Sequence, residues 1–426
     1  MTAVPRILTI MGSGETTPTM ARVHRLVLDR LGERPVPAVI LDTPYGFQEN
    51  AEEITDRAVD YFRTTVGAPF SIASFRSADA DAFIRETALV RIREARLVFT
   101  GPGSPSYALR QWSGSEIPRL LAGKLARGGA VTMASAAALT LGRYTIPVYE
   151  IYKVGEAPRW LDGLDLLTPL GLPVAVVPHY DNAEGGSHDT RFCYLGERRL
   201  RVLEAELPPD VFILGVDGHT ALVLDLVTGA ASVLGLGGVT VRKDGRNTVF
   251  PAGSEVSIGE LVAAAHGDVV GSAHPVAAGP MGAAVPDAAP ASAPLREEVA
   301  RLDAVFSASL DECDAPAAVR AILALEETIQ SWSHDTDQSD ALASARSALR
   351  SAIVCLGEMA AAGTGDPADL VRPFVDGLLA ERIRARTARD WAAADAIRDR
   401  LLAAGIELHD SPDGTTWELR PTAPVS

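Results

Sequence analysis

The sequence predicts an α/β domain built on a mainly parallel sheet with helices on both faces, followed by a separate α-helical domain. In the first 266 residues, short apolar runs alternate with amphipathic stretches. Residues 267–294, GDVVGSAHPVAAGPMGAAVPDAAPASAP, are rich in Ala, Pro and Gly, nearly uncharged and without periodicity, as in a linker. From residue 295 the strand signal gives way to helical spacing. The expected organisation is therefore 1–266, 267–294 and 295–426.

The apolar runs come in order as RILTIMG, AVILDTP, RLVFTGPG, GAVTMAS, VAVVPHY, VFILGVD and ALVLDL. They are rich in Val, Ile and Leu and mostly end in Gly, Pro or Asp, as strands buried on both faces do. MARVHRLVLDRLG follows the first run and AEEITDRAVDYFRTTVG the second. Both have helical amphipathicity, and the alternation places helices on both faces of the sheet. Ligands of such sheets sit at the carboxyl ends of strands, where Gly12, Gly101, Ser135, His179 and Asp217 fall. In the C-terminal part, Pro316, Pro367 and Gly405 stand where helices should start or stop. The tail IELHDSPDGTTWELRP reads as a hairpin around Asp413-Gly414.

The 426 residues are 47% hydrophobic and 22% charged, an ordinary globular balance for two or three domains. A formal net charge of -16 disfavours a broad surface for nucleic acid or anionic membrane, which needs clustered cations. Cys193, Cys313 and Cys355 are odd in number and far apart. They imply no disulfide framework, no zinc spacing and a reducing compartment. MTAVPRILTIMGSGE lacks the cationic and long apolar segments of a signal peptide, and no run of about 18 apolar residues is found. A cytoplasmic protein without membrane association is expected. So is the absence of cofactor and metal. Gly12-Ser13-Gly14 lacks the third glycine of a dinucleotide fingerprint, Glu15 would repel phosphate, and no GK[ST] loop occurs. His188 and Asp189 lack a second ligand pair.

Ser135 is the first catalytic candidate. GGAVTMAS is strand-like and AAALTLG helix-like, so the serine sits at a strand-to-helix corner. A nucleophile elbow uses such a corner to expose the hydroxyl and to aim the next N–H, here of Ala136, at an oxyanion. Residue types alone leave a second reading open, that of a small residue beginning a buried helix. His179, 44 residues on, ends an apolar strand and could serve as base, or as a hydrogen-bonded histidine at a strand edge. Glu150, Glu156 and Asp181 are candidate orienting acids. Arg191 is the better candidate for binding an anionic substrate group, while Arg198, Arg199 and Arg201 read as a solvated charge run.

Over about residues 5–240 the chain resembles the serine peptidase family of dipeptidase E and cyanophycinase. RILTIMGSGE is similar to its opening Gly-Gly-Gly-Glu loop, and FTGPGSPSYALRQW stands at its oxyanion loop. TMASAAA matches its Gly-Thr-Ser-Ala-Gly-Ala nucleophile motif at Ser135, Ala136 and Ala138, PHYDN its histidine strand, and GVDGHTALVLD a late Gly-Ile-Asp-Glu strand. The resemblance implies a flavodoxin-like, class I glutamine-amidotransferase-like fold, with Ser135 as nucleophile, His179 as base and Glu150 as orienting acid. The Ala136 N–H and Gly103 would form the oxyanion hole. The departures are Met133 and Ala137 for glycines at the elbow, expected to crowd it, Ser104-Pro105 in the oxyanion loop, where proline has no N–H, and Gly218 for the acid of the late strand.

Over about residues 298–422 the chain resembles the helical C-terminal region of cysteinyl-tRNA synthetase. FSASLDECDAPAAVRAILALEETI carries that likeness, and LLAERIRARTARDWAAADAIRDRLLAAGIELHDSPDGTTWEL carries it more specifically. The ATP-binding His-Ile-Gly-His and Lys-Met-Ser-Lys-Ser signatures are absent, so a complete synthetase is excluded. From residue 295 on, 13 Arg, no Lys and 23 Asp and Glu give a net of -10. That field opposes tRNA binding and leaves Arg382, Arg384, Arg386 and Arg389 as the one cluster that could touch phosphates. The leading expectation is a serine hydrolase acting on a peptide-like or amide small molecule. The alternative is a degenerate hydrolase fold whose helical domain contacts tRNA or a protein partner. A homodimer is compatible with the sequence.

Overall fold

The computed structural model describes residues 4–32, 34–183, 188–267, 294–312, 314–335, 341–363, 367–411 and 414–420. Of the expected linker, residues 268–293 lie outside the described residues, as do Cys313 and the Pro412-Asp413 step of the expected hairpin turn.

The strands of the α/β part are β1 (Arg6–Met11), β2 (Ala38–Leu41), β3 (Ser71–Ala73), β4 (Leu97–Thr100), β5 (Gly129–Ala134), β6 (Tyr144–Thr145), β7 (Leu161–Asp162), β8 (Val174–Val177), β9 (Phe212–Val216), β10 (Thr220–Asp225), β11 (Ala230–Gly235), β12 (Gly238–Lys243), β13 (Arg246–Pro251) and β14 (Glu255–Ser257). Its helices are α1 (Ala21–Arg30), α2 (Ala51–Tyr61), α3 (Ala82–Glu94), α4 (Pro105–Trp112), α5 (Ile117–Arg127), α6 (Ser135–Leu139), α7 (Gly196–Ala205) and α8 (Ile258–His266).

The main sheet has the order β14-β11-β10-β1-β5-β4-β2-β3. From β1 to β3 the neighbours are parallel, with Thr9 of β1 facing Thr132 of β5. Alternate side chains feed two cores, as strand pleat requires. Leu8, Ile10, Val131 and Met133 pack with Ile92 of α3 and Trp112 of α4. Ile7, Met11, Ala130 and Ala134 point the other way, to Val27 of α1 and Tyr61 of α2. Helices thus cover both faces, as expected.

Two features differ from the expected sheet. ALVLDL, now β10, runs antiparallel to β1 and β11. Only four residues, Leu226–Gly229, join β10 to β11, too few for the crossover a parallel pair needs. VAVV and FILGV, now β8 and β9, pair in parallel with each other, but in a second sheet of order β13-β12-β9-β8.

The C-terminal part comprises α9 (Leu295–Asp311), α10 (Ala315–Ser331), α11 (Ala341–Gly363), α12 (Pro367–Thr387), α13 (Trp391–Ala403) and the hairpin of β15 (Ile406–Ser411) with β16 (Gly414–Leu419). Asp314 and Asp390 cap α10 and α13 by accepting from the Ala317 and Ala393 N–H groups. Leu302, Leu325, Ile329 and Trp332 form one core, and Val375, Leu379, Leu401 and Ile406 another. The two parts of the chain meet where His334 Nε2 stands 2.7 Å from Asp60 Oδ2 and where the His219 and Trp332 rings meet edge-on, 5.5 Å between centroids. Among the described residues no helix is long and apolar enough to cross a membrane.

Candidate active site

Ser135 stands where β5 ends and α6 begins, with φ 48. Met133, expected to crowd this corner, does not. It is still a strand residue, in register with Ile10 of β1 and Thr100 of β4. Its side chain is fully buried in the core beside Ala137. The turn begins only after Ala134, whose φ of -124 and ψ of 153 are still extended, so the bulk lies beneath the elbow.

His179 follows β8, also with positive φ, 47. Its carbonyl is held by the Cys193 and Asn182 N–H groups at 3.1 and 3.2 Å. Although β5 and β8 belong to different sheets, Ser135 Oγ lies 2.9 Å from His179 Nε2. That is within reach for proton transfer.

Gly103 adopts φ +133, and a Cβ there would stand 2.1 Å from the Pro44 carbonyl oxygen, so only glycine fits. Its N–H and that of Ala136 make no hydrogen bond among the described residues, and both residues line the cleft over Ser135. Ser104 and Pro105 do not spoil this loop, because they start the next helix. Ser104 caps α4 by accepting from the Tyr107 N–H at 3.2 Å, and Pro105 occupies its first turn, where a missing donor costs nothing.

The three candidate acids go elsewhere. Glu150 Oε1 accepts from Ser106 Oγ at 2.5 Å, Ser106 is 3.1 Å from Ser104 Oγ, and Glu150 Oε2 is buried with no partner among the described residues. Asp181 accepts from the Gly218 N–H at 2.7 Å. Glu156 pairs with Arg159 at the surface. No described carboxylate hydrogen-bonds to His179. Asp217 accepts from the Gly238 N–H at 2.7 Å, and burial pushes its carboxyl up to about 6.

Arg191, expected at a substrate anion, is instead clamped on Asp189 through two contacts of 2.9 Å and lies over the Phe192 ring. Its Nε and Nη2 are engaged there, and the side chain does not line the cleft over Ser135. Arg201 pairs with Glu197, in line with a solvated run. Among the described residues no group of three or more His, Cys, Asp or Glu is arranged around a cation position.

Sequence reasoning missed the cleft walls. Tyr45, Ile54, Val148, Tyr149 and Tyr194 line a space of about 90 Å³. Tyr194 is the last of three consecutive left-handed residues, with Phe192 and Cys193 before it. Nothing in FCY announces such a turn. Tyr149 directly precedes Glu150, but only the path of the chain shows that it faces the cleft.

Two likenesses to known proteins accompany this geometry. In the C-terminal part, residues 371–417 match the family model of the cysteinyl-tRNA ligase anticodon binding domain. Among individual relatives, the cysteine–tRNA ligase of Arthrobacter sp. (strain FB24) is 36% identical over 124 residues, 28% of this chain and 25% of that one. The cysteine–tRNA ligase of Shewanella baltica (strain OS223) is 37% identical over 129 residues, 30% and 28% of the two chains. The chain thus spans about a quarter of the length of these relatives. Two solved structures are similar to most of the remainder. A peptidase from an acI-B1 Actinobacterium has 20% identity and a TM-score of 0.48, over 60% of this chain and 98% of that one. A putative peptidase E protein from Listeria monocytogenes EGD-e has 11% identity and a TM-score of 0.36, over 58% and 98%.

Proposed function

We propose that the α/β part is a serine hydrolase acting on peptide or amide bonds. The observation that carries this reading is the 2.9 Å contact between Ser135 Oγ and His179 Nε2 at the mouth of a cleft. Ser135 Oγ attacks the carbonyl carbon as its proton passes to His179 Nε2. The oxyanion forms against the Ala136 and Gly103 N–H groups. The C–N bond then breaks, and the leaving amine takes the proton from Nε2. Water attacks the acyl-serine, gives a proton to Nε2 and releases the acid, and Ser135 regains its own proton. A cytoplasmic location belongs to this reading, in keeping with Cys193 and Cys355, which form no disulfide among the described residues.

An alkyl fluorophosphonate tests it. Folded wild type should be labelled and Ser135→Ala should not. Absence of labelling on folded wild type would sink the activated serine and leave a degenerate fold acting as a binding protein.

The match over residues 371–417 favours a second reading, that the C-terminal part contacts tRNA. Arg384, Arg386 and Arg389 are exposed there. Retention of labelled tRNA at two salt concentrations tests it. Binding should be present at low salt and fall by roughly 0.9 in log K per log unit of salt for each phosphate neutralised. No retention even at low salt removes the reading.

A further inference from the structure

Resting on the serine-hydrolase reading, the cleft itself carries information about the substrate. A reacting carbonyl must stand about 3 Å from Ser135 Oγ, with its oxygen toward the Ala136 and Gly103 N–H groups. The leaving amine must lie beside His179, which protonates it. The acyl side is left the remaining wall, which carries no ionised side chain and, besides Gln48, is built of aliphatic and tyrosine side chains. Tyr45, Ile54, Leu139 and Val148 are its buried part, each under 5% exposed, and Tyr149 forms the rim at 44%. No Arg, Lys, Asp or Glu side chain lines the cleft among the described residues. The nearest cation expected from the sequence, Arg191, is held by Asp189.

The space of about 90 Å³ is several times the roughly 10–15 Å³ that one water needs by the same measure. It fits a side chain, not a solvent molecule. A charged side chain entering it would lose its hydration and gain no counter-ion. An aliphatic or aromatic one would lose nothing and bury its surface against Ile54 and Leu139.

We propose that this cleft receives the side chain of the acyl residue and selects uncharged, apolar groups, Leu- or Phe-like, over acidic or basic ones. The substrates are then amides or peptides whose scissile carbonyl belongs to an apolar residue.

Diphenyl phosphonates carrying Leu, Phe, Asp or Lys side chains test this. Each forms a Ser135 Oγ–P bond with loss of phenoxide, the serine proton passing to His179. Leu and Phe probes should label Ser135 about 10- to 200-fold faster than Asp and Lys probes, the range one apolar contact commands. Tyr149→Arg, with rates normalised to its own fluorophosphonate labelling, should raise the Asp probe relative to Leu by introducing a counter-ion. Equal or faster labelling by Asp or Lys, or no phosphonate labelling where the fluorophosphonate still reacts, overturns the apolar selection while leaving the serine reading intact. Loss of fluorophosphonate labelling in folded wild type takes down both.

Discussion

At the level of single residues, the site depends on backbone conformations that most side chains avoid. Ser135, His179 and Gly103 all have positive φ, and each turns the chain so that a polar group faces the cleft. Gly103 is the most constrained, since a Cβ would meet the Pro44 carbonyl oxygen and carbon at 2.1 and 2.2 Å. Gly103→Ala should therefore push the loop away and misplace its N–H. Fluorophosphonate labelling should slow about 10²- to 10³-fold, the loss typical of one oxyanion donor, while circular dichroism still reports a folded protein. An unchanged labelling rate would exclude this N–H from the oxyanion site. Ser135 and His179 were legible in the sequence because each ends an apolar strand. The partners of Glu150 were not, because a carboxylate's partner depends on loop paths. Glu150 reaches Ser106, in the first turn of α4, a stretch the resemblance placed at the oxyanion loop.

At the level of elements, α7 is tied to the second sheet by ions that hydropathy could not reveal. Arg242 of β12 is 1% exposed. It donates to Glu197 at 3.0 and 2.8 Å and to Glu204 at 2.9 Å, both on α7. In VTVRK it reads as a strand-end cation, and only the return of α7 across β12 buries it. The guanidinium beside Glu197 holds that carboxyl down at about 2, against an ordinary 4.5. A depressed carboxyl stabilises the fold above its unfolded pKa and loses that contribution as pH falls through the folded one. Stability should thus decline between about pH 4.5 and 2 through this pair. Arg242→Ala, which leaves Glu204 without its cation while Glu197 keeps Arg201, should cost about 3 kcal/mol at neutral pH and flatten that acid decline, as read from urea unfolding. A similar correction applies to α12. Arg382, grouped in the sequence with three other arginines, is 4% exposed and clamps Asp410 of β15 at 2.8 and 2.7 Å. Helical spacing revealed the helix but not which face the hairpin covers.

At the level of the whole molecule, the alternation of runs was enough to predict a sheet covered on both faces and a helical second part. It was not enough to predict the split into two sheets. Strands β11 to β13 are six residues each, longer than β2 and β4, but AASVLG, GVTVRK and RNTVFP interleave polar residues and join antiparallel neighbours through turns, so they lack the unbroken apolar runs that made β1, β2, β4 and β5 visible. Global stability also records the serine. A residue other than glycine at φ 48 holds the fold in a conformation costing on the order of 1 kcal/mol. Ser135→Gly and Ser135→Ala both remove the hydroxyl, but only glycine relieves the backbone, so the glycine variant should melt about 2–4 °C higher than the alanine variant. Equal melting temperatures would mean the corner is unstrained. If the difference is found, glycine is the residue that selection for folding alone would install at this corner, and the serine there is carried at a standing cost to the fold.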